Sequence, residues 1–569
     1  MLDQIKLKAI LEEASMNNRS SIEEFKEAKR YYGGKQLPDD VIATLKERGQ
    51  PPIHENILAM MIEKIQGYKS MARQDIEVVG RQKQDRDMAL VLSDILKSIS
   101  DSRDFLSEKI ASDENLLLGM GVLEVWIKEL DATDAWGKKE KQIYVKSIPP
   151  TSFLIDPYSQ KSDASDAGYF IKMYSLEYDE ARVYFGEKVK NLPINMINQY
   201  RKRVNIYEFW IKELSGGQMV WNRYYTGDLA VFLKFDKAPL PNGMHPFAIR
   251  KYKIDDKGCW YGFFRNLKPQ IDFINFAENR MANMIGSSKI FYEDGAVDDA
   301  EEFAMNANID KAVVRVRQGA LSGKKLEIVN NQPQISNLSA KIADTRAIAQ
   351  RLSGFNDEVL GFAVSRLSGS AIEQRNNAGT VSLQSFLLAS EMLDKDVFSK
   401  AIVLITHFFD AEQVFRISEY DNAARFFKIN EKELDANGKP MIVDGKMSIK
   451  NKISVGVYDI YLSTVPHTKT KREDILKHWA EIIKTIAPID QGMVAKLIPL
   501  MLDDSDSPIA RNIREMLMTP EQEPNPMQDI AMQKASLELE KMKAEINKIK
   551  ADSLKKVAEG KEEMGRAKI

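Results

Sequence analysis

A single cysteine, Cys259, stands among 569 residues, so the chain can build neither an internal disulfide framework nor a cysteine-based zinc site. Histidine is almost as scarce. His54, His245, His407, His467 and His478 are scattered, with no i,i+4 pair and no HExxH pattern, which removes the helical metal-hydrolase motif. No phosphate loop is present, because Gly286-Ser-Ser-Lys289 lacks the glycine that should lead it. Gly369-Ser-Ala371 lacks the flanking pattern of a nucleophile elbow. Acidic residues are plentiful, yet no spacing singles out a two-metal nuclease site. The expectation is a chain without catalytic residues, metal or cofactor.

Net charge is missing as well. The 81 Lys+Arg nearly cancel the 83 Asp+Glu, whereas a protein that wraps DNA tightly is usually basic. A surface past which DNA slides stays compatible with that balance. No apolar run approaches the roughly 20 residues needed to cross a bilayer; Leu116–Trp126 and Ile402–Phe409 are of core length. Met1 to Glu12 alternates charged and apolar residues without an apolar block, so no secretory leader is expected there. A reducing, aqueous compartment and no membrane contact are expected. Hydrophobic residues at 44% and charged residues at 29% are ordinary for a globular protein, and the length suffices for several domains.

What is present is an unusual order of elements. Leu267, Ile271, Ile274, Met281 and Ile285 predict an amphipathic helix over Gly262–Gly286, and Ile335, Leu338, Ile342, Ala349 and Leu352 predict a second over Gln334–Leu352. Between them, Ala312–Val316 and Leu326–Val329 read as a strand pair joined by Gly319 and Gly323. A loop with Gly354, Gly361 and Gly369 then leads to a third, very long helix reaching about residue 410. Upstream, helices are predicted over 1–30, 40–48, 54–67 and 84–118, with a strand at Asp75–Val79. Period-two alternation predicts strands at Val122–Ile127, Ile143–Ile148, Asn205–Ile211 and Ala230–Phe235, whose Trp126, Trp210, Trp221 and Tyr207 suit core packing. Downstream, Val414–Pro466 is β-rich, with hairpin cues at Asp435–Gly438 and Asp444-Gly445. Residues 468–518 return to helix, prolines 520, 524 and 526 mark a linker, and 527–569 form a charged helix. Met532, Ala535, Leu539, Met542, Ile546 and Ile549 give that tail a short heptad seam, which suits self-association or a solitary surface helix. The fold class is α+β, multidomain.

Several short motifs recur in a telling order: Gln50-Pro-Pro-Ile-His-Glu-Asn-Ile57 with Ile65-Gln-Gly67, Gly119-Met-Gly-Val-Leu-Glu-Val125, Pro149-Pro-Thr-Ser-Phe-Leu-Ile-Asp-Pro157, Tyr261-Gly-Phe-Phe-Arg-Asn-Leu-Lys-Pro-Gln270, and Leu367-Ser-Gly-Ser-Ala-Ile372. From about Tyr31 to Pro466 the chain resembles the portal proteins of tailed bacteriophages, nearest the short-tailed podovirus type. Each motif is weak alone; their order carries the resemblance. It implies a dodecameric ring at one capsid vertex, a homo-oligomer through which a terminase motor packages double-stranded DNA and from which DNA is later ejected. Partners implied are terminase, major capsid and scaffolding proteins, a tail adaptor protein and DNA bound without sequence preference, with assembly in the host cytoplasm. In that architecture residues 1–261 are the N-terminal part of the wing, 262–286 the first stem helix, 287–333 the clip and 334–354 the second stem helix. Residues 355–371 are the tunnel loop, 372–466 the long helix and C-terminal wing, 467–526 the crown and 527–569 a C-terminal helical tail or short barrel. A tail adaptor ring without a packaging role is the alternative within the structural class, and a DNA-processing hydrolase the alternative among enzymes. Chain length and the helix–insert–helix order favour the portal, since adaptors are usually far smaller.

The resemblance gives two groups of residues a role. In and around the tunnel loop, Gly361 and Gly369 lower the cost of changing backbone angles, and Arg366 and Arg375 suit phosphate contacts. Arg346 and Arg351 on the second stem helix join them as weaker candidates, with Lys341, among the acidic Asp344, Asp357 and Glu358. In the clip, Glu293 to Asp310 holds seven acidic residues and no basic one, and Lys311 to Lys325 five basic residues and no acidic one. Solvated faces account for this; so does a head-to-tail contact between subunits, in which Glu293, Asp298 and Glu301 meet a neighbour's Lys311, Arg315, Arg317, Lys324 and Lys325 and the contact weakens with salt.

Overall fold

The computed structural model describes residues 2–285 (apart from 71, 81–85, 134–136, 199 and 229–230), 289–306, 315–329, 332–353 and 369–410, strand segments between 412 and 466, and 478–485 with 497 and 501. Two compact units divide the chain, Met1–Thr468 and Lys469–Ile569. In the second, residues 478–485 are helical, in keeping with the pattern of 468–518; the tail 527–569 lies outside the described residues. No helix among the described residues is long and apolar enough to cross a membrane.

The first unit mixes helix and strand. Among the described residues its α-helices are α1 (Gln4–Tyr32), α2 (Asp39–Glu47), α3 (Ile57–Ser70), α4 (Arg86–Ser100), α5 (Arg103–Leu118), α6 (Tyr178–Phe185), α7 (Phe264–Ile285), α8 (Ala300–Asn306), α9 (Gln332–Ser353) and α10 (Gly369–Phe408). Asp3 caps α1, its carboxylate accepting the Lys6 N–H at 2.8 Å, and the chain leaves the helix at Gly33, whose N–H reaches Lys29 O. The single helix expected over 84–118 is two helices. Ser102 breaks it: its hydroxyl accepts the Phe105 N–H at 3.2 Å and starts α5 afresh, the local competition with helix that serine offers. The helix expected from His54 starts three residues later, where the Asn56 side chain accepts the Ala59 N–H.

The strands form antiparallel sheets. A six-stranded sheet joins 153–155, 169–177, 201–215, 218–227 and 232–236 in that order, with 195–198 also paired to 201–215. A three-stranded sheet places 120–133 between 247–251 and 139–147. Ala72–Gly80 pairs with Tyr458–Pro466 along its whole length, from Ala72↔Pro466 to Gly80↔Tyr458, which ties the end of the unit back to its start. Farther on, 442–443 pairs with 446–447 around the Asp444-Gly445 cue; residues 435–438 lie outside the described residues. Along 201–215 the alternation works as expected. Val204 and Ile206 are buried against α6 and the turn after it, whereas Phe209 and Ile211 join Leu7 and Ala14 of α1. Trp210 and Trp221 are buried, and Trp126 packs edge-on against Trp210 with centroids 6.3 Å apart. The Arg223 guanidinium lies 5.0 Å from the Trp126 ring and 5.4 Å from Trp210, with Asp236 as its carboxylate partner at 2.7 Å.

The main core gathers α1, α3, α4, α5, the three-stranded sheet, α7, α9 and α10. Two features lock it. Gly262 lies against the last turn of α5: a Cβ there would sit 2.2 Å from the Leu118 carbonyl carbon, and the next N–H, Phe263, bonds to Leu117 O at 2.8 Å. Beside it Gly119 leaves room for the Trp260 ring, which an added Cβ would meet at 2.6 Å. Two of the sequence motifs therefore touch each other through their glycines. The second lock is a buried cluster of charge joining α3, α5 and α10. Lys109 Nζ lies 2.8 Å from both Asp113 and Asp394, Lys69 pairs with Asp113, and the Ser390 hydroxyl donates to Asp113 at 2.6 Å. Burial disfavours the Lys109 ammonium, but the two carboxylates outweigh it and hold its pKa above the ordinary value. Burial also opposes the Asp113 carboxylate, and Lys109 and Lys69 reverse that and keep it below the usual range.

Gly262→Ala is expected to lower stability by about 3 kcal/mol, the upper end for overpacking against atoms that cannot yield, measured by denaturant unfolding. Asp394→Ala leaves two buried ammonium groups facing one carboxylate. It is expected to cost about 3–5 kcal/mol in the same measurement, well above an alanine substitution at the exposed Glu77.

Candidate functional site

The helix–insert–helix unit is built around α7. Its buried stripe is Leu267, Ile271 and Ile274, continued by Ala277, and it faces the Ile342, Thr345 and Ala349 stripe of α9. Two residues of the expected stripes turn outward instead: Ile285 is 68% exposed and Leu352 is 49% exposed. On α9 the inward line runs through Thr345 and Ser353, four residues on from Ala349, so helical geometry swings Leu352 away. On α7, Ile285 is the final residue of the helix.

A second face of α7 carries asparagine at every fourth position. Asn275 accepts the Glu55 N–H at 2.9 Å, and Asn279 both accepts the Ile53 N–H at 2.9 Å and donates to Ile53 O at 2.6 Å. Asn283 bonds to Gln50. The extended segment 50–56 is no strand and needs partners for its backbone groups; the α7 amides supply them much as a neighbouring strand would. Asn275 also donates to Gln36 at 2.7 Å, and Gln36 donates to Asn56 at 3.0 Å. Charge and stripe patterns do not flag these residues, although asparagine at i, i+4 and i+8 along one face of an amphipathic helix is a visible signal.

The insert is closed at its base by strands. Lys289–Tyr292 pairs antiparallel with Leu326–Val329, a partner for Leu326–Val329 that the sequence reading did not assign beside the expected Ala312–Val316. Residues 312–314 lie outside the described residues, and Arg315–Arg317 are not strand. Chain continuity favours the observed pair, because its strands are those leaving α7 and entering α9. Within the insert Asp299 caps α8, accepting the Glu301 and Glu302 N–H groups at 2.8 and 3.1 Å. Ala296, Val297, Phe303 and Ala320 form its small buried centre, while Phe291, Met305 and Leu321 stay exposed at 62%, 71% and 65%.

The predicted charges distribute unevenly over this frame. Asp298 accepts from Arg317 at 2.6 Å, and that hydrogen bond holds its carboxyl below the ordinary range. Arg315 is 3.8 Å from Asp298, its side chain 90% exposed. Glu293, Glu301, Lys324 and Lys325 are exposed on the insert surface; Lys311 lies outside the described residues. On α9, Arg346 pairs with Glu278 of α7 at 2.8 Å and with Glu55 at 2.9 Å, so it clamps the 50–56 segment to the helix pair. Arg351 is exposed and donates to the Ala347 carbonyl. Gly369 opens α10 and Arg375 follows two turns later, while Gly361 and Arg366 lie outside the described residues. The structure brings Asp298, Arg315 and Arg317 together, while Arg346 and Arg351 on α9 have separate partners. Among the described residues, no cluster of three or more potential ligands could hold a metal.

Comparison with known proteins matches the chain to one family. The model of the phage P22-like portal protein matches residues 8–223 and 218–556. A portal protein of Helicobacter pylori bacteriophage KHP30 is 37% identical over 498 residues, 87% of this chain and 78% of that protein.

The asparagine ladder is testable. Asn279→Ala orphans both backbone groups of Ile53 and is expected to cost about 1–3 kcal/mol in denaturant unfolding. Hydrogen exchange at the Ile53 amide should quicken, while the Glu55 amide, held by Asn275, stays protected. Equal acceleration at both amides would mean that the ladder acts as one unit.

Proposed function

Because the chain belongs to the P22-like phage portal proteins, we propose that α7 and α9 are the paired stem helices of a ring and that the insert between them is its clip. The coarse function follows from the family. A portal is the head-to-tail connector at one vertex of the capsid, through which the genome is packaged and later ejected, and on which the tail docks. It is a structural protein and not an enzyme, in agreement with a sequence that carries no nucleotide or hydrolase motif.

The finer assignments rest on the helix–insert–helix frame. Residues 1–261 and 372–466 form the wing, which suits the pairing of Ala72–Gly80 with Tyr458–Pro466; 467–526 form the crown and 527–569 its tail. A dodecamer is the expected ring. Terminase, and later the tail adaptor, engage the clip, whose exposed Phe291, Met305 and Leu321 would otherwise face water. Major capsid and scaffolding proteins surround the wing, and assembly takes place in the host cytoplasm. Residues 355–371 form the tunnel loop, and Arg366 and Arg375 touch passing DNA through phosphates alone, since a sliding duplex tolerates only contacts without sequence preference. Arg346 is reassigned. Its charge is engaged by Glu55 and Glu278, so it braces the stem instead of meeting DNA. Arg315, with its side chain 90% exposed, and the exposed Lys324 and Lys325 are the clip cations that reach a neighbour's Glu293 or Glu301.

The observation that carries this function is the family match along almost the whole chain, together with an insert closed by its own strand pair at the tip of an antiparallel helix pair. Electron microscopy and solution mass of the purified protein test it. A closed ring with an axial hole wide enough for duplex DNA, and no ATP hydrolysis, is expected. A compact monomer that hydrolyses ATP or cuts DNA would overturn it.

A further inference from the structure

Helix α2 and the outer face of α7 enclose a groove of about 510 Å³. Phe276, 58% exposed, and Val41, 38% exposed, supply its apolar walls. Arg48 and Arg280 stand at its edge, both exposed, and neither makes an ion pair with a described residue. Gln50 also lines it, and its buried side-chain oxygen accepts no hydrogen bond. An apolar slot with two free guanidinium groups and one unsatisfied acceptor suits an occupant with a slim surface, a carboxylate and hydrogen-bond donors.

The outward face of α9 has that chemistry. Ser339, Ala340 and Ala343 are exposed and small, and Asp344 beside them is exposed without an ion-pair partner among the described residues. We propose that the α2–α7 groove of one subunit receives α9 of a neighbouring copy, with the neighbour's Asp344 set between Arg48 and Arg280. The proposal rests on the ring reading. A closed ring joins unlike faces of each subunit, so a groove on one side and a complementary helix on the other are what it requires.

Symmetry fixes the register. Rotation about a ring axis carries no rise, so residues at one height in a subunit meet residues at the same height in its neighbour. Within one chain α7 and α9 run antiparallel, Lys289 pairing with Val329 at the insert and Glu278 meeting Arg346 farther down. Level with Arg280 on α7 is therefore Asp344 on α9, and level with Phe276 are Ala347 and Ile348, two apolar residues. The ion pair and the aromatic knob reach their counterparts without any axial shift. Lys341, the nearby cation on α9, falls level with Asn283, where the groove offers an amide and no like charge to repel it.

Ring assembly followed by sedimentation and mass tests the fit, using the full chain and variants confined to exposed side chains. Asp344→Arg is expected to raise the protein concentration at half-assembly at least tenfold with its thermal unfolding unchanged. Combining it with Arg48→Asp and Arg280→Asp should return assembly toward the wild-type midpoint. Normal assembly of Asp344→Arg, or no recovery in the triple variant, would sink the proposal while leaving the ring intact. A wild-type chain that forms no ring under any condition would overturn the ring reading itself.

Discussion

The missing side chain at Gly262 is the constraint on which the rest of the molecule depends. With no Cβ, the backbone before α7 lies directly on the final turn of α5, and the Phe263 N–H is fixed to Leu117 O. The start and direction of a 22-residue helix are thereby set by backbone contact. Arg265 reinforces the seat, its guanidinium gripping Glu24 of α1 at 2.6 Å and Asp255 at 3.1 Å. Once α7 is aimed, its three faces organise the elements around it: the apolar one takes α9, the asparagine one takes the 50–56 segment, and the outer one is left for the groove.

Electrostatics does similar work at depth. Lys109, Asp113 and Asp394 are buried where α3, α5 and α10 meet, with Lys69 half-buried beside them, and a serine hydroxyl joins the network. A neutral, buried set of ion pairs of this kind adds little net stability over an apolar core, yet it admits few alternative packings. That suits α10, whose later turns must hold their place although the helix begins directly after the loop assigned to the channel. A second example is Lys251, buried beneath the 156–168 loop, where its ammonium donates to Ser159 O at 2.7 Å. Burial lowers its pKa, while Asp156, Asp163 and Asp166 nearby oppose that shift.

Local features were legible and pairings were not. Stripes at helical spacing located α1, α2, α7 and α9 to within a few residues, because a 3.6-residue period is written into consecutive positions. Alternation located the strands around Trp126 and Trp210 for the same reason. The stripe rule failed at Ile285 and Leu352, near helix ends, where the neighbouring helix and not the period decides which side is covered. It also ran α4 and α5 together, since one serine cap outweighs an uninterrupted charged pattern. Of the candidate site residues, the Asp298–Arg317 pair could be guessed from charge blocks. The capture of Arg346 by Glu55 and Glu278 could not, because those carboxylates lie on segments far apart in sequence.

By itself the sequence determined the α+β class, the helix–insert–helix order, the absence of catalytic motifs and the family, since composition, periodicity and motif order are properties of the linear chain. Tertiary structure alone decided that Leu326–Val329 pairs with Lys289–Tyr292, that Ala72–Gly80 meets Tyr458–Pro466, and that a ladder of asparagines holds an extended peptide. These are choices among distant partners whose local patterns are equally good. Their outcome depends on which surfaces chain connectivity and packing bring together.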